Sequence, residues 1–149
     1  MPPVYRVPQA MEGSLPWEWA NERLTNSRNY LIMTVRPDGR PHAMVVWGVW
    51  LDNAYYLSTG ATTRKAKNLA ANPNCVVCNE NVEEAVIVEG QACQLAEEDI
   101  PESAFALYLE KYACKLDPQM GPVFKVTPQV VFAMPEKLFP AGATRWIFE

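Results

Sequence analysis

The sequence RPDGRPHAMVVWGVWLDNAYYLSTG at residues 36–60 decides the fold. It contains two tight-turn signals, a Pro-Asp-Gly sequence at 37–39 and an Asp-Asn pair at 52–53. The residues around these turns are mostly apolar, β-branched or aromatic, which is typical of strands. The stretch therefore predicts three consecutive strands joined as hairpins, at residues 30–36, 42–51 and 54–59.

The rest of the chain supplies three helices and several further strands. Helical spacing of apolar residues, together with prolines and capping residues, predicts helices at residues 15–27, 62–71 and 102–116. Ser14 is the expected N-cap of the first helix, and Thr62 or Thr63 that of the second. Alternating apolar residues predict further strands at 74–79, 85–95, 123–127 and 129–134, and an extended segment at 144–148.

Helices and strands do not alternate regularly in this order, so a doubly wound parallel sheet is not expected. The pattern predicts a mainly β fold, a small antiparallel β-barrel with peripheral helices. The length of 149 residues fits a single domain spanning 1–149.

Composition excludes some classes of function. A formal net charge of −4 argues against a general nucleic-acid-binding protein. The longest apolar run, residues 43–51, is too short to cross a bilayer, so no membrane association is expected. Residues 1–10 contain three prolines and no apolar run, unlike a signal peptide. We therefore expect a cytoplasmic protein.

Cys75 and Cys78 have the C-x-x-C spacing of many metal and redox sites. Their surroundings predict a strand, however, and residues three apart on a strand point to opposite faces. The two thiols are therefore not expected to converge on a metal ion. Buried, reduced cysteines are the better interpretation.

The strongest local signal for a ligand is the strand–turn–helix sequence LSTGATTRKA at residues 57–66. The free N–H groups at the start of a helix attract anions. Arg64 and Lys65 place two cations where the helix dipole disfavours them, which a bound anion would explain. The alternative is a solvated helix face. The combination of hydroxyls and cations predicts a phosphate site.

The predicted strand around residues 42–51 has apolar residues in both of its alternating sets, so both faces should be covered. One face would fill the barrel, and the other would cover a flat ring or a partner subunit; a central core strand with nothing bound is the alternative. The chain has a single histidine and no recognisable hydrolytic centre. Such a protein suits chemistry carried by a cofactor.

Several of these segments together resemble one family, the pyridoxamine 5′-phosphate oxidase-like split-barrel flavoproteins. The resemblance is carried by five sequences, RPDGRPH at 36–42, WGVW at 47–50, YLSTG at 56–60, TRKA at 63–66 and NLAANP at 68–73. ATRW at 143–146 also looks like the end of many members. The likeness covers most of the chain from about residue 30 onward.

The resemblance implies a six-stranded antiparallel split barrel that forms a homodimer, with two cofactor sites at the subunit interface. Members bind FMN, and one branch instead binds the deazaflavin coenzyme F420. Carried over by motif, the phosphate would be held by Arg64 and Lys65 with support from Thr63. The remaining implied contacts are Ser58 and Thr59 near the ribityl chain, Met44, Val45, Val46 and Trp47 along the ring, and Arg145 and Trp146 from a C-terminal segment.

Two departures from the family pattern affect the expected substrate. The C-terminal segment around Arg145 lacks the histidine of true pyridoxamine phosphate oxidases, and Met44 replaces an arginine that contributes to flavin binding. We therefore expect hydride transfer between FMN, or a deazaflavin, and a small unsaturated or quinone-like molecule rather than a vitamin. The alternative is a non-catalytic protein that holds flavin or haem for storage or sensing. The longer anionic tail of the deazaflavin would need further cations, with Arg36, Arg40 and Lys67 as candidates.

Overall fold

Nine strands form one sheet in residues 10–148, the part of the chain that the computed structural model describes. They are β1 (Ala10–Glu12), β2 (Tyr30–Val35), β3 (Pro41–Val46), β4 (Gly48–Leu51), β5 (Ala54–Ser58), β6 (Asn74–Asn79), β7 (Glu84–Gln94), β8 (Val123–Pro135) and β9 (Thr144–Ile147). The helices are α1 (Trp17–Asn26), α2 (Arg64–Ala71) and α3 (Glu102–Tyr112), with short 3-10 turns at Glu97–Asp99 and Glu136–Leu138.

The sheet closes on itself through the strand pair β3 and β4. β3 pairs with β2, whereas β4 pairs with β5, and only Trp47 separates the two strands. The remaining pairings are β2 with β6, β6 with β7, β7 with β8 and β8 with β5, all antiparallel. Counted with β3 and β4 as one strand, the ring has six members, which confirms the predicted split barrel. β1 and β9 are additional strands beside β8.

The prediction of one continuous strand over 42–51 is wrong, because the chain leaves β2 at Trp47 and joins β5 at Gly48. Side chains of α3 satisfy the Gly48 backbone at this break. The Gly48 N–H donates to Tyr112 Oη at 2.9 Å, and the Gly48 carbonyl accepts from Tyr112 Oη at 2.8 Å and from Lys111 Nζ at 3.1 Å. Since buried backbone groups need partners, these bonds allow one strand to change neighbours inside the fold.

The core follows the two-residue period of the strands. Inward residues such as Tyr30, Ile32, Tyr55 and Leu57 are buried inside the barrel, where α1 and α2 also contribute apolar side chains. Outward residues of β4 and β5, such as Tyr56, form a second cluster with the apolar side of α3. α3 therefore covers the outside of the barrel wall next to the strand break.

Several predicted boundaries differ from the structure. Ser14 does not cap α1, because Pro16 occupies the N-cap position without a side-chain bond. α3 ends at Tyr112 rather than near residue 116. The next residue, Ala113, adopts a left-handed backbone conformation with φ 52°, which ends the helix. The two strands predicted at 123–127 and 129–134 form the single strand β8, with a shift in its register against β7 at Gly90.

The three-residue strand β1 was not predicted, since it is too short to show a pattern. None of the helices within residues 10–148 combines the length and the apolar character needed to span a bilayer.

Replacement of Gly48 by alanine tests the packing at the strand break. A Cβ atom there would overlap Tyr55 and would lie 2.5 Å from the Tyr56 carbonyl oxygen. Such overpacking should lower the free energy of unfolding by about 1–3 kcal/mol in a denaturant titration. Gly60→Ala is the control, because its Cβ would meet only the Thr63 methyl group at 3.3 Å. Equal stability of the two variants would show that the strand break tolerates a side chain.

Candidate functional site

The start of α2 is built by two threonines and a glycine. Thr63 is the N-cap, and its Oγ1 accepts a hydrogen bond from the Ala66 N–H at 3.3 Å, which confirms one of the two predicted caps. The same hydroxyl donates to the Gly60 carbonyl at 2.8 Å and lies 2.9 Å from Thr59 Oγ1. The hydroxyls of Thr59 and Thr63 are thus engaged within the turn. The expected contacts, of Thr63 with a phosphate and of Thr59 with a ribityl chain, stay predictions.

A buried polar contact fixes α2 against the barrel. Asn68 Nδ2 donates to Thr34 Oγ1 at 3.0 Å, and both side chains are buried. Thr34 lies on β2, so this bond ties the middle of the helix to the strand beside β3. Because buried polar groups are costly without partners, this contact restricts where the first turn of α2 can lie.

Four basic residues mark this end of the barrel, namely His42 and the three cations that act on it, Arg36, Arg64 and Lys65; we call them the basic cluster. Burial lowers the pKa of His42, and the positive charges of Arg36, Lys65 and Arg64 lower it further, so these groups lie within electrostatic reach of the imidazole. Burial also lowers the pKa of Lys65. The cluster joins the end of β2, the β3 strand and the first turn of α2.

The basic cluster lacks counter-charges. Within residues 10–148, Arg64 and Lys65 form no ion pair with an acidic side chain, and the first turn of α2 holds no acidic residue. Arg36 donates to the Pro41 carbonyl at 2.7 Å, which leaves its charge uncompensated. Repulsion among these cations is relieved by an anion, and the free N–H groups at the helix start add to the attraction. The residues present therefore fit the phosphate group of a flavin nucleotide.

The residues Met44–Trp47, expected along a flavin ring, do not form one continuous surface. Met44 is 46% exposed and shares a face of β3 with His42, since alternate residues of a strand point the same way. Val45 is 60% exposed on the opposite face, whereas Val46 is buried in the core. In the single chain both faces of β3 are thus partly exposed, and their expected cover by a flat ring or a partner subunit stays a prediction.

The last residue of this run, Trp47, lies at the strand break and stacks on Tyr112. The ring centroids are 4.5 Å apart and the planes differ by 8°. Its Nε1 donates to Asn29 Oδ1 at 3.1 Å, and the Arg28 guanidinium lies 5.5 Å from its ring. One face of the indole is thus already occupied by a tyrosine. Trp50 is buried in the core and donates to Asn21.

The two C-terminal candidates lie away from the basic cluster in a single chain. β9 pairs with β8 and β1, and not with β2 or β3, the strands beside the basic cluster. Arg145 pairs with Glu12 at 2.8 Å. Trp146 is only 1% exposed and packs edge-on against Trp17 in the core. The structure therefore does not bring these residues to Arg64 within one chain, and their role in cofactor binding stays a prediction.

The remaining candidate residues, two cations and two cysteines, do not belong to the basic cluster. Arg40 pairs with Asp38 at 2.9 Å, and Lys67 lines a separate cleft between α2 and the loop at 118–122. Cys75 is buried and Cys78 half-buried on β6, and neither forms a disulfide. Within residues 10–148 no three metal-ligating side chains gather at one point.

His42 is the member of the cluster that sequence reasoning missed. Arg36 and His42 begin and end the RPDGRPH motif, but the sequence alone assigned His42 no binding role and Arg36 only a role toward a longer cofactor. One signal was present, because His42 precedes Met44 by two positions and so lies on the same face of a strand. Its proximity to α2 required the three-dimensional arrangement.

The comparison with family models identifies the chain. Residues 18–134 match the model of the pyridoxamine 5′-phosphate oxidase family, which is most of the sequence. The chain therefore belongs to this family, as its resemblance implied. No curated protein sequence matches the chain.

Solved structures with the same fold come from several bacteria. General stress protein 26 of Bacillus anthracis has a TM-score of 0.60 and 21% identity, over 78% of this chain and 92% of that chain. The haem storage protein of Vibrio cholerae has a TM-score of 0.61 and 19% identity, over 78% and 90%. A FAD-binding protein of Mesorhizobium loti has a TM-score of 0.61 and 16% identity, over 93% and 99%. At these identities the likeness shows the fold.

Removal of the cap at the start of α2 should destabilise the site. Thr63→Ala deletes the bond to the Ala66 N–H, and we expect a loss of about 0.5–2 kcal/mol in the free energy of unfolding. Thr62→Ala, one residue earlier and exposed, should change stability little. Chemical denaturation followed by circular dichroism measures both. A larger loss of stability for Thr62→Ala than for Thr63→Ala would show that Thr62, and not Thr63, caps the helix.

Proposed function

We propose that the chain binds FMN with the phosphate in the basic cluster and acts as a flavin-dependent oxidoreductase. The reaction is hydride transfer between FMN and a small unsaturated or quinone-like molecule. One observation carries the proposal: Arg64 and Lys65 stand at a helix start beside Arg36 and His42 without an acidic partner in residues 10–148.

A phosphate monoester matches this arrangement in charge and geometry. It carries close to two negative charges at neutral pH, and its oxygens accept several hydrogen bonds. Arg64 offers paired donors, Lys65 a point charge, and the first turn of α2 its free N–H groups. Family membership supports the same group, because flavin is the cofactor that the resemblance implies.

FMN supplies the redox chemistry when bound, because its ring accepts or donates a hydride. The side chains of the chain then orient the ring and exclude water from it. Met44 is exposed on the same face of β3 as His42, so its thioether can pack against a ring whose phosphate lies at α2. The thioether is soft and adaptable, which suits contact with an aromatic surface.

We also propose a homodimer formed through the outer face of the sheet. Residues directly opposite one another across adjacent strands share a face. The register places one such row across five strands, formed by Val45, Leu31, Cys78, Ile87 and Phe132. All five are half-buried or exposed in the single chain. An apolar surface of this extent is typical of an interface, and a second copy of the chain is the occupant we propose.

The dimer would also account for the position of Arg145. This residue continues the same row beyond Phe132, on β9. Arg145 alternates with the buried Trp146 and so points to the outer face of the barrel, where a second copy would bind. Binding of the cofactor by Arg145 at the site of the second copy is part of this proposal.

The deazaflavin is the first alternative cofactor. Its longer anionic tail needs more cations, and Arg36 is the one further candidate that belongs to the basic cluster. Arg40 is paired with Asp38, and Lys67 lines a different cleft. This distribution favours the shorter FMN.

Haem storage is the second candidate function. A structural neighbour from Vibrio cholerae is a haem storage protein, and His42 is the single histidine of this chain. Haem carboxylates and a phosphate have the same sign of charge, so the basic cluster suits both ligands. Titration with haemin and with FMN distinguishes them, because coordination by an imidazole shifts and sharpens the Soret band of haemin, whereas FMN binding quenches flavin fluorescence.

Replacement of both cations at the helix start tests the cofactor site. The variant Arg64→Ala/Lys65→Ala loses two charge-assisted contacts, and we expect its affinity for FMN to fall on the order of 100-fold. The exposure of Arg64 to solvent keeps the effect below the value for buried contacts. Fluorescence titration of cofactor-free protein measures the affinity.

Two controls make this experiment specific. Riboflavin lacks the phosphate, so its affinity should be equal for wild type and the double variant. Lys67→Ala removes a cation of the same helix that lines another cleft, and should bind FMN like wild type. FMN affinity unchanged in the double variant would refute the phosphate assignment.

A charge on the outer face tests the proposed dimer. Val45→Asp places a carboxylate in the apolar row and should shift the wild-type dimer toward monomer in sedimentation equilibrium. Val45 is 60% exposed in the single chain, so the monomer should stay folded. Val82→Asp, at a residue 80% exposed in the turn between β6 and β7, should leave the dimer intact. A wild-type chain that is monomeric at all concentrations would contradict the dimer.

A further inference from the structure

His42 faces the helix that carries Arg64 and Lys65. On β3 it lies directly opposite Thr34 of β2, and opposed residues point to the same face of a sheet. The Thr34 hydroxyl accepts a hydrogen bond from Asn68 of α2 at 3.0 Å. The imidazole is thus on the side of the strands against which α2 packs.

The fold leaves one nitrogen of the His42 imidazole without a hydrogen bond. Its Nδ1 atom is buried and has no hydrogen-bond partner among residues 10–148. The side chain as a whole is half-buried, so the ring also has an open side. A buried polar atom without a partner is uncommon and points to a role that folding alone does not supply.

The charged groups that act on His42 all have the same sign. They are Arg36 at the end of β2, and Arg64 and Lys65 in the first turn of α2. β3 itself carries no charged residue, and Asp38 in the adjacent turn is paired with Arg40. A phosphate held by the arginine and the lysine of α2 would therefore place a negative charge within electrostatic range of the imidazole.

We propose that His42 is a fourth basic contact of the bound phosphate and takes up a proton from solvent when the phosphate binds. This inference rests on the proposed function and adds a proton linkage to it. His42 would thereby tighten the binding of phosphorylated flavin as the pH falls.

The sign of the linkage follows from the two environments of the ring. Without ligand, burial and three positive charges hold the pKa of His42 below its usual 6.5, so the ring is neutral at pH 7. A phosphate dianion introduces the opposite charge and raises that pKa. Ligand then binds the protonated form more tightly, so its affinity rises as the pH falls through the pKa of the complex. If the phosphate raises the pKa of His42 by about one unit, the proton affinity of the ring rises about tenfold, and FMN affinity gains up to about tenfold as well.

The other titrating groups are separable from His42. Arginines do not titrate in this range, and Lys65 is an amine whose pKa burial lowers from a much higher value. The phosphate itself loses charge near pH 6, which weakens binding at low pH for any version of the protein. A comparison between wild type and a His42 variant cancels that contribution.

The chain offers a direct measurement, because His42 is its single histidine. Protein without a histidine tag gives one imidazole Cε1–H resonance in the proton NMR spectrum. Its pH titration between 5 and 8 should have a midpoint below 6.5 in the free protein. Saturating FMN should raise the midpoint by about one pH unit or more, and riboflavin should leave it unchanged. An unchanged midpoint in FMN-saturated protein would overturn the inference.

Binding measurements give an independent test. His42→Gln keeps hydrogen-bonding capacity but cannot take up a proton. As the pH falls from 8 to 6, the ratio of wild-type to variant affinity for FMN should rise several-fold. The same ratio for riboflavin should stay constant. Parallel pH profiles overturn the role of His42 and leave the proposed function standing. Absence of FMN binding by the wild type at every pH overturns the proposed function and this inference with it.

Discussion

The fold depends on one strand that has to pair with two different neighbours. β3 pairs with β2 and β4 with β5, so the backbone between them cannot continue a regular ladder. Tyr112 and Lys111 of α3 provide the missing hydrogen bonds to Gly48, and a side chain at that position would overlap Tyr55 of β5. This arrangement carries an electrostatic cost, because burial lowers the pKa of Lys111 to about 8. α3 is therefore part of barrel closure.

Closure at this point also shapes the functional surface. Because the chain leaves β2 after Val46, β3 becomes an edge strand with one face toward α2 and the other toward solvent. Met44 and His42 lie on the first face, and Val45 lies on the second. The same break thus separates a surface suited to a ligand from an apolar surface suited to a second copy.

The basic cluster represents a balance between stability and binding. The cations Arg36, Arg64 and Lys65 disfavour a further positive charge on His42, and the buried Asn68–Thr34 bond keeps α2 where this repulsion persists. An anion converts the repulsion into attraction, and binding to the folded state alone also stabilises the fold. Functional sites commonly hold such locally unfavourable arrangements, which the rest of the structure over-determines.

The sequence by itself determined the order and most of the positions of the secondary-structure elements. Turn residues at 37–39 and 52–53, the Thr63 cap and the Asn-Pro pair at 72–73 act locally, so their effects are legible in the chain. The sequence also predicted a phosphate motif, because Arg64 and Lys65 are adjacent to the helix start. Only the tertiary structure decided where the strand at 42–51 breaks, since that depends on α3, a helix more than fifty residues later. The tertiary structure alone placed His42 beside the cations of α2, and it alone placed Trp146 in the core. Strand register and helix packing join residues that are distant in sequence.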